Sequence, residues 1–150
     1  MAQRKVEYQD INHTLKGLRE QVVDSLEFCC NELPRFSNPT DLFNFCKSIT
    51  VYENDPHEIE LIQTVQTLLN NNFHGVSGAG DCDCFTVLTL ALCIASGMNE
   101  NFIVLVGRSK VAPVHIYSAT KYKGKLYTLD LTNPFINMQR PYKYRQFIPV

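Results

Sequence analysis

The chain has 150 residues, 45% apolar and 19% charged, with a formal net charge of −1. These are ordinary globular values, which exclude wholesale disorder and allow one core without a metal or disulfide scaffold. No stretch reaches the roughly 18 uncharged apolar residues of a membrane span, and the opening MAQRKVEYQD lacks the apolar run of a signal peptide.

A soluble, intracellular (cytoplasmic) single domain over 1–150 is therefore expected, its six cysteines reduced rather than paired. From Tyr8 to about Cys30, the apolar positions Ile11, Leu15, Leu18, Val22, Val23, Leu26 and Cys29/Cys30 recur at three and four residues, one face of an amphipathic helix. After Pro34 the pattern stops. Asn38-Pro39-Thr40-Asp41 reads as a turn opening a second helix, with Leu42, Phe43, Phe45 and Cys46 on its apolar side. A third helix is predicted from about Pro56 to Leu69, capped by Asp55, with Glu58 and Glu60 at its positive end. The helical N-terminal part thus covers 1–55, and 56–150 is expected to form the core.

Asn70, Asn71 and Asn72 with the glycines 75, 78 and 80 mark a loop before a fourth helix, from about Cys82 to Ser96. That helix is apolar over most of its circumference and belongs in the domain centre, with Gly97 as its stop. Phe102 to Val106 reads as a strand buried on both faces. Segments 112–119 and 125–131 then alternate about a turn at Lys121-Tyr122-Lys123-Gly124, which pairs residues whose numbers sum to about 245 to 247. His115 lies opposite 130, 131 or 132 accordingly, and Asp130 meets it directly if the sum is 245. Pro141 to Val150 forms one more strand. The fold class is α+β.

Charge is uneven. Residues 108–150 carry eight basic side chains and one acidic, a net +7, interleaved with tyrosines. Such a mixture could face an acidic partner, whereas nucleic acid is disfavoured because basic patches alone usually mark solvated strand faces.

Chemistry is concentrated at Gly80-Asp81-Cys82-Asp83-Cys84. A thiol reacts as thiolate, and a helix N-terminus and a nearby imidazole are two ways to lower its pKa. Backbone N–H groups at that helix start would also face an oxyanion. Asp81 and Asp83 oppose the thiolate unless they cap the helix or point away. His115 shares its strand face with Tyr117, and a carboxylate on one imidazole nitrogen, from Asp130, leaves the other as a base. Taken singly, the histidine reads as a half-buried sheet residue and the aspartate as a turn-stabilising strand end. Zinc is the rival: Cys82, Cys84, Cys93, His74 and His115 are possible ligands. Cys-x-Cys is tighter than the usual spacing and no second close pair exists, so no metal or cofactor is expected. Cys29, Cys46 and Cys93 read as small apolar residues.

GDCDCF, the apolar helix TVLTLALCIASGM, VHIY and LYTLDLTNP together resemble the transglutaminase-like superfamily of papain-related cysteine enzymes over about residues 57–133. Small bacterial and phage-encoded members with Gly-Asp-Cys-Asp-Asp are the version most similar to it. The resemblance implies a central helix against a small antiparallel sheet, with Cys82 as nucleophile, His115 as general base and acid, and Asp130 as orienter. Cys84 stands where that version has its second Asp, and Leu131 replaces the proline of Asp-Pro-Thr; neither removes a triad member. Gln63 and Gln66 are oxyanion candidates by chemistry alone. Acyl transfer on an amide or peptide bond of a peptide or protein substrate is the expected function, with hydrolysis favoured over cross-linking. The alternative is a catalytically silent structural or interaction protein, virion-associated if phage-encoded, with the N-terminal helices or the basic C-terminal part as its partner surface.

Overall fold

The computed structural model describes residues 3–7, 11–53, 59–70 and 77–150. In chain order these form β1 (Gln3–Glu7), α1 (Ile11–Glu32), α2 (Pro39–Ile49), β2 (Val51–Tyr52), β3 (Ile59–Gln63), α3 (Val65–Asn70), β4 (Ala79–Gly80), α4 (Cys82–Ala95), β5 (Glu100–Gly107), β6 (Pro113–Tyr122), β7 (Lys125–Leu129) and β8 (Tyr144–Pro149). The architecture is α+β. A four-stranded antiparallel sheet in the order β7-β6-β5-β8 carries α4 on one face, and α1 and α2 pack on the other side of that helix.

The centre of the molecule is α4. Residues Val87 to Cys93 are all buried, most at 0% exposure, as a helix apolar nearly all round must be. At its start Asp81 accepts the Asp83 N–H at 3.1 Å, the short-carboxylate cap that satisfies an otherwise orphaned donor. At its end Gly97 has φ +87°, and the paired bonds Met98 N–H to Cys93 C=O (2.9 Å) and Gly97 N–H to Ile94 C=O (3.0 Å) close a Schellman motif. A buried hydroxyl pair, Thr89 Oγ1 and Ser118 Oγ at 2.6 Å, ties α4 to β6.

The expected first, second and fourth helices are present with these bounds, except that Tyr8 lies outside the described residues and the first helix continues to Glu32. Its buried stripe is Leu15, Leu18, Val22, Ser25 and Cys29; Val23 and Cys30 are exposed, one step off the face. Cys46 and Cys93 join Cys29 in the core, all three free thiols. Asn38 caps α2 by accepting the Asp41 N–H at 2.8 Å, with Pro39 in the first turn.

The third helix differs. Residues 59–63 are a strand, paired antiparallel with β1 from Gln3↔Gln63 to Glu7↔Ile59, and helix begins only at Val65. Ile59, Ile62 and Val65 have helical spacing, but five residues are too few to distinguish the two periods, and a partner 56 residues away decides for strand. Asp55, Pro56 and Glu58 lie outside the described residues, as do Asn71, Asn72 and Gly75. Of the expected glycine loop, Gly78 occupies a left-handed turn at φ +79° and Gly80 a short parallel pairing with Tyr52.

The hairpin is tighter than expected. Lys123 (φ 51°) and Gly124 (φ 79°) form the turn alone, both left-handed as a two-residue primed turn requires, so β6 continues to Tyr122. The register runs Ser118↔Leu129 to Tyr122↔Lys125, a sum of 247 rather than 245. The tail strand spans Tyr144–Pro149 and completes the sheet edge beside β5.

Candidate functional site

Two halves of a site come from two different elements. The first is the β6–β7 hairpin. With the register summing to 247, Asp130 just past β7 falls diagonal to His115 on the same face, two positions from direct opposition. It nevertheless reaches the imidazole: His115 Nε2 and Asp130 Oδ2 are 2.8 Å apart. The face-sharing survives because a shift of two residues, unlike a shift of one, conserves side-chain direction.

The segment after Asp130 holds the carboxylate still. Its Oδ1 accepts the backbone N–H of Thr132 at 3.1 Å and the Thr132 hydroxyl at 2.7 Å, and Asn133 Nδ2 donates to Oδ2 at 3.3 Å. This is the turn chemistry of short polar side chains after a strand end. Burial alone would push the Asp130 carboxyl up; the bonds and charge of His115 and the two bonds from Thr132 outweigh it and hold the carboxyl below its usual 3.8. An ionised carboxylate only accepts, so His115 Nε2 is the donor in this bond. The His115 ring also lies 5.7 Å from that of Tyr117, centroid to centroid.

The second half is Cys82, the first residue of α4. Its sulfur lies 4.0 Å from Asp83 Oδ1 and near the backbone of Ile116. Burial pushes the thiol well above its ordinary value, Asp83 and Asp81 push it further, and the Ile116 N–H offsets them only in part. The helix N-terminus does not prevail over two adjacent carboxylates in a desolvated setting. Among the described residues, no hydrogen bond joins Cys82 to His115. Alternation along β6 explains the gap: Ile116 and Ser118 face the helix, whereas His115 pairs with Val106 and lies with Tyr117 on the next face.

The oxyanion candidates separate. Gln63 is 1% exposed, its Nε2 lies 3.5 Å from the Ala79 carbonyl, and its Oε1 is buried without a partner. Gln66 on α3 is exposed. Of the weighed zinc ligands, His74 lies outside the described residues, and no group of three or more His, Cys, Asp or Glu among the described residues is placed to hold a metal ion.

A groove of about 450 Å³ opens beside His115, lined by Lys47, Phe85, Thr132, Arg140 and Tyr142 among others, and its lining does not include Cys82. Lys47 from α2 donates to the Leu131 carbonyl at 2.9 Å, and Arg140 Nε donates to Asn133 Oδ1 at 3.2 Å. Thr132 and Asn133 entered the sequence analysis only as part of the LYTLDLTNP strand end, without a role of their own, and Lys47 and Arg140 did not enter it. Thr132 and Asn133 carried a signal, polar turn residues directly after a candidate aspartate; Lys47 and Arg140 are distant in sequence and carried none.

A family described as a transglutaminase-like domain matches residues 4–147. A solved structure of a provisionally designated cysteine protease from Cytophaga hutchinsonii is similar at 10% identity and a TM-score of 0.45, covering 89% of this chain and 50% of that one. The present chain therefore spans half the length of that neighbour. None of the curated proteins matches the chain in sequence. No helix among the described residues is long and apolar enough to cross a membrane.

Proposed function

The chain belongs to the family of transglutaminase-like domains, and we propose that it performs acyl transfer on an amide or peptide bond, with Cys82 as nucleophile, His115 as general base and acid, and Asp130 as orienter. The observation that carries this is the His115–Asp130 pair at 2.8 Å, which engages Nε2 and leaves the other ring nitrogen for proton transfer, on a residue that lines a groove large enough for a peptide side chain. In the proposed sequence Nδ1 takes the Cys82 proton as sulfur attacks the carbonyl carbon. The N–H groups at the start of α4, with Gln63 rather than the exposed Gln66, stabilise the oxyanion. Nδ1–H then protonates the departing amine, and water resolves the thioester to acid and free thiol. Residues 1–150 act in this as one unit, since α1 and α2 pack directly on the helix that bears the nucleophile.

The raised thiol disfavours a resting thiolate, so in this reading Cys82 is deprotonated in the encounter with substrate. The same observation, together with the unformed Cys82–His115 bond, favours a second reading: a catalytically silent interaction protein on this fold. Iodoacetamide alkylation from pH 5 to 9, resolved by peptide mass spectrometry in the parent and in His115→Ala, decides between them. A Cys82 rate above that of exposed Cys30 that falls in the variant supports the enzyme. Labelling slower than Cys30 and indifferent to His115 supports the silent protein.

A further inference from the structure

The groove beside His115 is cationic by construction. Its floor is the turn that follows Asp130, and a cation is anchored on each part of that turn: Lys47 to the Leu131 carbonyl, Arg140 to the Asn133 side chain. Lys47 thereby uses one of three ammonium donors and Arg140 one of five guanidinium donors. Among the described residues neither is ion-paired, and none of those that line the groove is a carboxylate. Asp130, which precedes that turn, already accepts four hydrogen bonds, from His115, from Thr132 twice and from Asn133. Phe85 and Tyr142 give the same cavity aromatic walls. Two held cations with donors to spare beside aromatic surface match a carboxylate carried on an aliphatic stem.

We infer that this groove is a specificity subsite for an acidic side chain, so that the preferred ligand is a peptide with Glu or Asp beside the carboxamide presented to His115. Resting on the acyl-transfer reading only for its orientation, the subsite makes no demand on turnover. A peptide suits the site better than nucleic acid. The cavity is a single pocket of about 450 Å³, whereas Lys123 and Lys125 sit over the rings of Tyr122 and Tyr127 at the far end of the hairpin and do not line it.

The test is an NMR titration of the full chain, reading the His115 ring resonance, with N-acetyl-Glu-Gln-Gly amide and its neutral counterpart N-acetyl-Gln-Gln-Gly amide. The acidic peptide should bind about tenfold more tightly, the scale of one or two charge-assisted hydrogen bonds. Lys47→Met and Arg140→Gln should each reduce that preference, their combination should remove it, and Lys47→Arg should retain it with unchanged amide dispersion. Equal affinity for the two peptides, or a preference that survives the double variant, overturns the subsite. Stronger displacement of the same resonance by a thymidine decanucleotide overturns it in favour of a polyanion site. Preference without any Cys82 reactivity refutes the acyl-transfer reading alone and leaves the subsite standing.

Discussion

The carboxylate of Asp83 is the most direct control on the Cys82 thiol, and Asp83→Asn measures it. Oδ1 lies 4.0 Å from the sulfur; unit charges at that distance interact by about 1 kcal/mol in water and about 4 kcal/mol at an effective dielectric of 20. Asp83 is 7% exposed, so the water limit is too low. Removing the charge favours thiolate, but a less basic thiolate is also a weaker nucleophile, which on a logarithmic scale cancels about half of the gain. The net rise in alkylation at neutral pH then lies between about twofold and about thirtyfold, and we expect about tenfold. Stopped-time iodoacetamide labelling with peptide mass spectrometry compares Cys82 with the other five thiols, whose rates should not move. The variant also loses an anion from the first turn of α4, which should lower stability by about 0.3 to 1 kcal/mol. A Cys82 rate within twofold of the parent, with the chain still folded, would refute the view that Asp83 holds the thiol protonated.

Three further outcomes follow from the same geometry. Asp130→Asn should cost about 2 kcal/mol at pH 7 through the lost charge-assisted bonds. Because the folded carboxyl titrates below its usual 3.8, its contribution is complete above that value and is lost as pH falls through the lower folded value. Urea denaturation at pH 7 and pH 3 should therefore show a smaller acid loss in the variant than in the parent. At Gly80 an added Cβ would meet the Cys84 Cβ and the Leu68 Cδ1, each at 2.9 Å. Since the Cys84 atom is fixed to the helix backbone, Gly80→Ala should destabilise by about 1 to 3 kcal/mol, read as a lowered thermal midpoint. Thr89→Val leaves the Ser118 hydroxyl buried without its partner and should cost about 1 to 3 kcal/mol, whereas replacing both hydroxyls together should cost less than either change alone suggests.

The parts of this fold legible in the sequence are those whose signal is local. Helix α4 announces itself by apolar residues on every side, a capping aspartate and a terminal glycine, and β5 by an unbroken apolar run. The β1–β3 pair was not legible: Gln-Arg-Lys-Val-Glu has no strand pattern, and Ile59–Gln63 takes its conformation from a partner that no local rule can supply. The hairpin register was legible only to within two residues, because Lys123 in place of the usual Asn hides a two-residue turn. Asp130 still meets His115, since any even shift keeps both on one face. What could not be read was the state of the thiol. Asp81 and Asp83 flank Cys82 in any conformation, but the largest cause of the raised thiol is its own burial, which only the fold decides.

The buried Thr89–Ser118 pair sets how freely the two halves of the site can be altered. It pins the helix to the histidine strand two turns beyond Cys82, so sliding or rotation of one element against the other would break a solvent-free contact. Adjustment is thereby confined to the first turn of α4, where the thiol, the cap and both carboxylates are gathered within three consecutive residues. The His115–Asp130 pair, by contrast, is complete within a segment of fewer than twenty residues. Reactivity in this scaffold is for that reason separable from foldedness: a few substitutions at residues 81–83 could switch it on or off while the core that carries them stays as it is.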